Sequence, residues 1–262
     1  MNDEPTLNNP VHGWFDGIAD RYARSRPHYP DTFFAWMAER APALNRCWDA
    51  ACGNGQSSIG LTRWFRRVDA TDISAAQIAS ARPHPQVHYK VEAAESSQLP
   101  ENSVDAILVA SAIHWFDVIK FNKQTERVLR SEGLLVWIGY RPLKGAPVNI
   151  QNWLNDLYFV RLQEHWPPQR IHVNQQFKAL PFPIPSQPLP NKFSIRVNWS
   201  FENLIDFINT WSALRRSNYM TNLHKQKPLI NTLTQELSEL WPINQEKITL
   251  QFPLMGRWGI WS

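Results

Sequence analysis

Asp49-Ala50-Ala51-Cys52-Gly53-Asn54-Gly55-Gln56, read with Asp72 in Ala70-Thr71-Asp72-Ile73, decides the fold of this chain. An acidic residue closes an apolar strand, two glycines turn the chain, an amphipathic helix follows, and a second acidic residue ends the next strand. Lacking Cβ atoms, Gly53 and Gly55 let the backbone turn sharply and let a ligand lie close against it. Asp72, at the end of the second strand, is placed to accept hydrogen bonds from ribose hydroxyls. The pattern describes a crevice for an adenine nucleoside.

Two ligand classes share the first half of this pattern. A dinucleotide fingerprint asks for a third glycine that lets helix and strand pack closely, and Ser58 stands at that position. Pyrophosphate would also avoid the anion of Asp49 at the turn. A ligand carrying an ammonium group suits it better, and S-adenosylmethionine carries one. A nicotinamide-dependent oxidoreductase is therefore the weaker reading.

Outward from the turn, the chain alternates. Phe33, Phe34, Trp36, Met37 and Ala41 give a helical apolar face behind Asp31 as N-cap. Strands are predicted over 46–51, 67–72, 87–91, 103–112 and 134–140, with helices over 57–65, 74–81 and 117–129, the last stopped by Gly133. Val104 to Ala110 is almost continuously apolar, as expected of a strand buried on both faces of a parallel sheet. This is a doubly wound α/β fold. Residues 141–198 break the rhythm, with nine of the twenty prolines and one of the ten glycines, and are expected to form a stiff extended lid. Two helices follow, over about 201–216 and 228–240. The end reads as two strands joined at Met255-Gly256, an antiparallel hairpin.

At 262 residues the chain suffices for one large domain with a full core. Cys47 and Cys52 sit poorly for bridging, which fits a reducing cytoplasm. No apolar run approaches the roughly 18–20 residues of a membrane span, and the dispersed basic residues behind a net charge of +4 give no support for nucleic-acid binding. The thirteen tryptophans are scattered, and Trp115, Trp153, Trp166 and Trp211 fall where a pocket mouth is expected.

The residues now on the page resemble the class I S-adenosylmethionine-dependent methyltransferases of the methyltransferase type 11 kind, and among them the trans-aconitate methyltransferase-like group. The resemblance rests on the segment ending Arg26-Pro27-His28-Tyr29-Pro30, on Asp49 to Gly55, on Asp72-Ile73-Ser74, on Ser111 to Phe116 with its His114-Trp115 pair, on Arg127-Val128-Leu129 with Gly133, and on Asn209 to Ala213. It implies a Rossmann-like fold with a mostly parallel seven-stranded sheet, a C-terminal antiparallel hairpin and an inserted lid at 141–198 in a single domain over 1–262. It implies S-adenosylmethionine as cofactor, held by Tyr22, Arg26, Asp49, Ala51, Gly53, Gly55, Asp72, Ile73, Ala94, Glu95 and Ser111. Arg26 would fork onto the methionine carboxylate. Where the family places an acid for the adenine amine, Ala93 stands, with Glu92 the nearest replacement.

His114 and Trp115 are the candidate catalytic residues, His114 either as a proton acceptor or as a wall of the pocket. Trp153, Arg170, Trp211 and Arg215 are the candidate substrate contacts, and Arg141 is a further candidate clamp. No metal ligands are assigned. The expected activity is methyl transfer to an oxygen of a small molecule, such as a carboxylate, by a monomer or homodimer. A non-catalytic S-adenosylmethionine-binding protein is the alternative.

Overall fold

The computed structural model describes residues 26–214 and 226–261. Five strands, β1 (Arg46–Ala50), β2 (Arg67–Asp72), β3 (Val87–Val91), β4 (Val104–Ala110) and β5 (Leu129–Tyr140), lie parallel in the order β3-β2-β1-β4-β5. Order reverses between β1 and β4, which opens the crevice where such sheets bind ligands. Successive residues of β4 and β5 serve opposite faces. Ala106, Leu108, Leu134, Val136 and Ile138 join one apolar core with Phe33 and Met37, and Ile107, Val109, Leu135 and Trp137 join a second with Trp48 and Phe121. Each such side chain, once buried, contributes about 1.5–3 kcal/mol.

The connecting helices are α1 (Asp31–Ala38), α2 (Gln56–Leu61), α3 (Ala75–Ala79) and α4 (Val118–Val128). Ser74 and Asp117 cap α3 and α4, accepting from the N–H groups of Gln77 and Lys120. Asp31 does not cap α1. Pro30 holds the cap position and Asp31 is the first helical residue, favoured there by the helix dipole.

Three further expectations are corrected. Gly133 does not stop α4, because the chain passes from Val128 straight into β5 and Gly133 lies within that strand, where a Cβ would meet the Leu129 side chain at 2.6 Å. Residues 141–198 are not all extended. They hold α5 (Val148–Asp156), a π-helical turn over Leu157–Arg161, and α6 (Arg170–Asn174), with the proline-rich run extended only beyond them, through β6 (Gln187–Pro188). Prolines precede both helices, Pro147 as the N-cap of α5 and Pro167-Pro168 before α6, where a missing N–H costs nothing.

The third correction is at the C-terminal end. After β7 (Ser194–Ser200), α7 (Phe201–Asn209) and α8 (Gln226–Leu240), one uninterrupted strand, β8 (Lys247–Ile260), replaces the tight hairpin. Its first half pairs antiparallel with β7 and its second half with β5, with β6 on the outer side. The seven-strand path β3-β2-β1-β4-β5-β8-β6 thus carries β7 as an eighth strand. Gly256 is no turn; a Cβ there would lie 2.0 Å from the Trp137 carbonyl oxygen, so a glycine lets the two strands approach. Among the described residues no helix is long and apolar enough to cross a membrane, and both cysteines are free.

Candidate active site

Every segment that leaves the carboxyl ends of β1 to β4, with Tyr140 at the end of β5, contributes to one cleft of about 200 Å³, lined by Ala51, Gly53, Asp72, Ile73, Ala94, Glu95 and Ser111 among others. Two of the turns are strained: Ala51 and Ser111 take left-handed φ values of 55° and 58° although neither is glycine. Such backbone costs about 1–3 kcal/mol and persists where the surroundings over-determine it. The two turns follow paired parallel strands, β1 and β4, whose carboxyl ends lie side by side. Asp72 accepts from the N–H groups of Gly53 and Ser74, both at 2.8 Å, which locks the carboxylate at the cleft.

The cleft fits an adenosyl ligand that bears a positive charge. Its charged lining is three carboxylates, Asp72, Glu92 and Glu95, against one guanidinium, Arg26, which disfavours pyrophosphate. Among the described residues a Cβ on Gly53 (φ +57°) would meet within 4 Å only Gln77 Oε1, itself buried and unpartnered there, so the glycine leaves the floor open to a ligand. Glu92 is already engaged by Lys90 and by the N–H of Gln98, and Glu95 accepts from the N–H of Asp117. No acid stands at Ala93 in the cleft lining.

Two expected cofactor residues do other work. Asp49 is fully buried and absent from the cleft lining; its Oδ2 accepts from Ser57 and Ser58 at 2.8 and 2.6 Å, and its Oδ1 has no partner among the described residues. Burial outweighs the two hydroxyls and raises its pKa to about 6. Gly55 also lies off the cleft. Its φ of +84° caps α2, and a Cβ there would collide with the Tyr89 ring. Tyr22 and Arg215 lie outside the described residues.

A second pocket, of about 80 Å³, adjoins the cleft and shares Arg26, Ser111, Trp115 and Tyr140 with it. His114, Trp115, Arg170 and Trp211 line it, whereas Trp153 does not: its indole N–H donates to Glu236 at 2.7 Å on the helical scaffold outside. Tyr158, Trp166 and Trp211 pack with ring centroids 4.7–5.7 Å apart. Arg170 lies over the Trp166 ring at 4.9 Å and donates to the Tyr158 hydroxyl at 3.0 Å. Arg26 donates to the Tyr140 hydroxyl and to the Thr210 carbonyl, and lies 5.1 Å from the Phe207 ring centre.

Tyr29 and Tyr140 escaped the sequence reading. Tyr29 shares a hydrogen bond with Ser111 at 3.1 Å, and Tyr140 is the last residue of β5, a position that could have flagged it. His114 is buried against Trp115 (4.6 Å) and parallel to Phe177 (6.4 Å, 16°). Burial first, then the charges of Arg170 and His172, push its pKa down to about 3. The imidazole is neutral throughout the physiological range.

Comparison with known proteins gives this geometry its context. A family model described as a methyltransferase domain matches residues 48–137, which span β1 to β5. A solved structure from Anaeromyxobacter dehalogenans, named a “Putative Type II Methyltransferase”, is 33% identical, with 90% of this chain and 97% of that one covered and a TM-score of 0.77. A Dictyostelium discoideum protein named “Putative methyltransferase” is 26% identical over 76% of each chain, and an uncharacterized methyltransferase of Mycobacterium tuberculosis is 34% identical over 47% of this chain and 51% of its own. Likeness across nearly the whole length sets aside the oxidoreductase reading: the chain belongs to the class I S-adenosylmethionine-dependent methyltransferases, with S-adenosylmethionine as its cofactor.

Proposed function

We propose that this enzyme methylates an oxygen of a small-molecule carboxylate held in the pocket beyond Tyr140. The observation that carries the reading is the charge of that pocket. Arg26, Arg141 and Arg170 line it, and among the described lining residues there is no Asp or Glu. Arg170 has no carboxylate within ion-pair distance among the described residues, so its guanidinium is held by ring faces and one hydroxyl. Such a fork takes a carboxylate well, and aromatic walls receive the rest of the molecule.

When bound, S-adenosylmethionine supplies a methyl group activated on a sulfonium. The residues for it are Arg26, Ala51, Gly53, Asp72, Ile73, Ala94, Glu95 and Ser111, with Tyr29 added. The acceptor oxygen forms the new bond to the methyl carbon as the carbon–sulfur bond breaks, and its electron pair returns to sulfur. A carboxylate needs no base for this step. Alignment is what the protein must supply, worth up to about 7–11 kcal/mol, and Trp115 and Tyr140 stand between the two pockets to supply it. The motifs' resemblance to the trans-aconitate methyltransferase-like group supports an acidic acceptor. In this reading residues 141–198 are a lid within one domain, whose Tyr158, Trp166 and Arg170 close the pocket over the acceptor.

The test is transfer of labelled methyl from S-adenosylmethionine to a carboxylate library, beside the matching alcohols and amines. Methyl ester formation is expected. Labelling of amines or alcohols in preference to acids would overturn the carboxylate reading.

A further inference from the structure

His114 is a buried polar side chain on the wall of the second pocket. It stands in the short 3-10 turn Ile113–Trp115 beyond β4, is 8% exposed, lines the second pocket, and its Nδ1 has no hydrogen-bond partner among the described residues. Leaving a buried polar group unmatched costs about 1–3 kcal/mol, and the ring packs against Trp115 and Phe177. A ligand in the pocket is the partner that would match it.

The groups around the ring decide what it can do for that ligand. From α6 it faces Arg170 and His172, and Arg141 and Arg26 stand elsewhere on the pocket wall. No acidic side chain lines the pocket among the described residues. A proton added to the imidazole would be a buried cation among cations, the arrangement that desolvation and like charge both oppose. A base needs the opposite surroundings.

Resting on the carboxylate reading above, we propose that His114 serves as a neutral hydrogen-bond donor that orients the acceptor oxygen, and that the pocket consequently selects acceptors ionised before they bind, carboxylic acids rather than phenols or alcohols. With a carboxylate, the oxygen–carbon bond forms, the carbon–sulfur bond breaks and no proton moves. With a phenol or alcohol one proton must leave, and His114 does not take it.

Two measurements on the full chain test this. The first uses S-adenosylhomocysteine alone: the His114 ring resonances, assigned by their loss in His114→Gln, are followed by NMR from pH 8 to 5. They are expected not to titrate, and a midpoint between pH 6 and 7 would overturn the proposal whatever the substrate. The second uses benzoate, phenylacetate and indole-3-acetate beside phenol and benzyl alcohol as methyl acceptors. For an accepted acid, kcat/KM should show no acid limb between pH 6 and 8. His114→Phe should lower it roughly tenfold to a hundredfold, the range for a lost hydrogen bond to a charged group, while His114→Gln or His114→Asn, which keep an amide donor, recover much of the loss. Unchanged affinity for S-adenosylhomocysteine in each variant confirms that the fold survives. An acid limb near pH 6–7 that vanishes in His114→Gln makes His114 a base and sinks this inference alone, whereas methylation of phenol with refusal of every acid sinks the carboxylate reading itself.

Discussion

Asp49 and Asp72 end neighbouring parallel strands with the same side chain, and their surroundings give them different work. Asp72 meets backbone N–H groups at the mouth of the cleft, while Asp49 is closed in under Ser57 and Ser58. Asp72→Ala should weaken S-adenosylhomocysteine binding by about 1.5–3 kcal/mol, read by calorimetry; unchanged affinity would remove Asp72 from the site. For Asp49 the expectation concerns stability. Its folded pKa of about 6 lies above the ordinary 3.8, so the folded state holds the proton more tightly, and this contribution is present below about pH 4 and lost as pH rises through about 6. At 1.36 kcal/mol per pKa unit the loss is about 3 kcal/mol. Urea denaturation of Asp49→Asn between pH 4.5 and 7.5 should lack that decline, and parallel curves for variant and parent would refute it. The sequence marked both acids through the same signal, an acid at a strand end. What it concealed was the direction of the Asp49 side chain, although two hydroxyls directly after the glycine turn were a usable hint.

At the scale of elements, the parallel strands and the helices between them were legible because each depends on local pattern and local chemistry. The segment after β5 was misread because its prolines were taken as marks of extended chain, whereas Pro147 and Pro167-Pro168 precede helices. The π-helical turn Leu157–Arg161 places Tyr158 in the pocket, and such turns recur at functional sites. Glu236 on α8 ties this turn and α5 together, accepting from Arg161 and Trp153 at 2.7 Å each. Those groups are about one-third exposed, so solvent screens the pair and the stability cost of losing it should be modest. Glu236→Gln should instead raise the acceptor's KM several-fold and leave cofactor affinity alone, and a matched loss of cofactor binding would show that the tie serves the whole fold. Arg170→Ala should likewise affect the acceptor and spare the cofactor. Gly256→Ala drives a Cβ against the Trp137 carbonyl, where backbone and not a flexible side chain must yield. A loss of about 2 kcal/mol or more is expected, lowering Tm by roughly 2–4 °C per kcal/mol, and an unchanged melting curve would refute the close approach.

Across the whole molecule, the two pockets draw on different lengths of chain. The cofactor cleft is assembled from residues 51–116, with Arg26, Pro27, Tyr29 and Tyr140 added, and the second pocket mostly from residues 139–252. The first could be read from sequence because its parts recur at short intervals, and the second could not, because its walls meet only after distant segments pack. The same difference sets a timetable. Pairing within β1 to β4 joins residues such as Asp49 and Ala70 or Asp49 and Leu108, while β8 closes on β5 by joining Leu134 to Ile260. Contacts between remote positions form slowly, so during refolding amide protection should appear in β1, β2 and β4 before β8, a sequence that pulsed hydrogen exchange can resolve and simultaneous protection would exclude. A young molecule would then hold its cofactor before it can recognise anything to methylate, and specificity would be the last property the enzyme acquires as it matures.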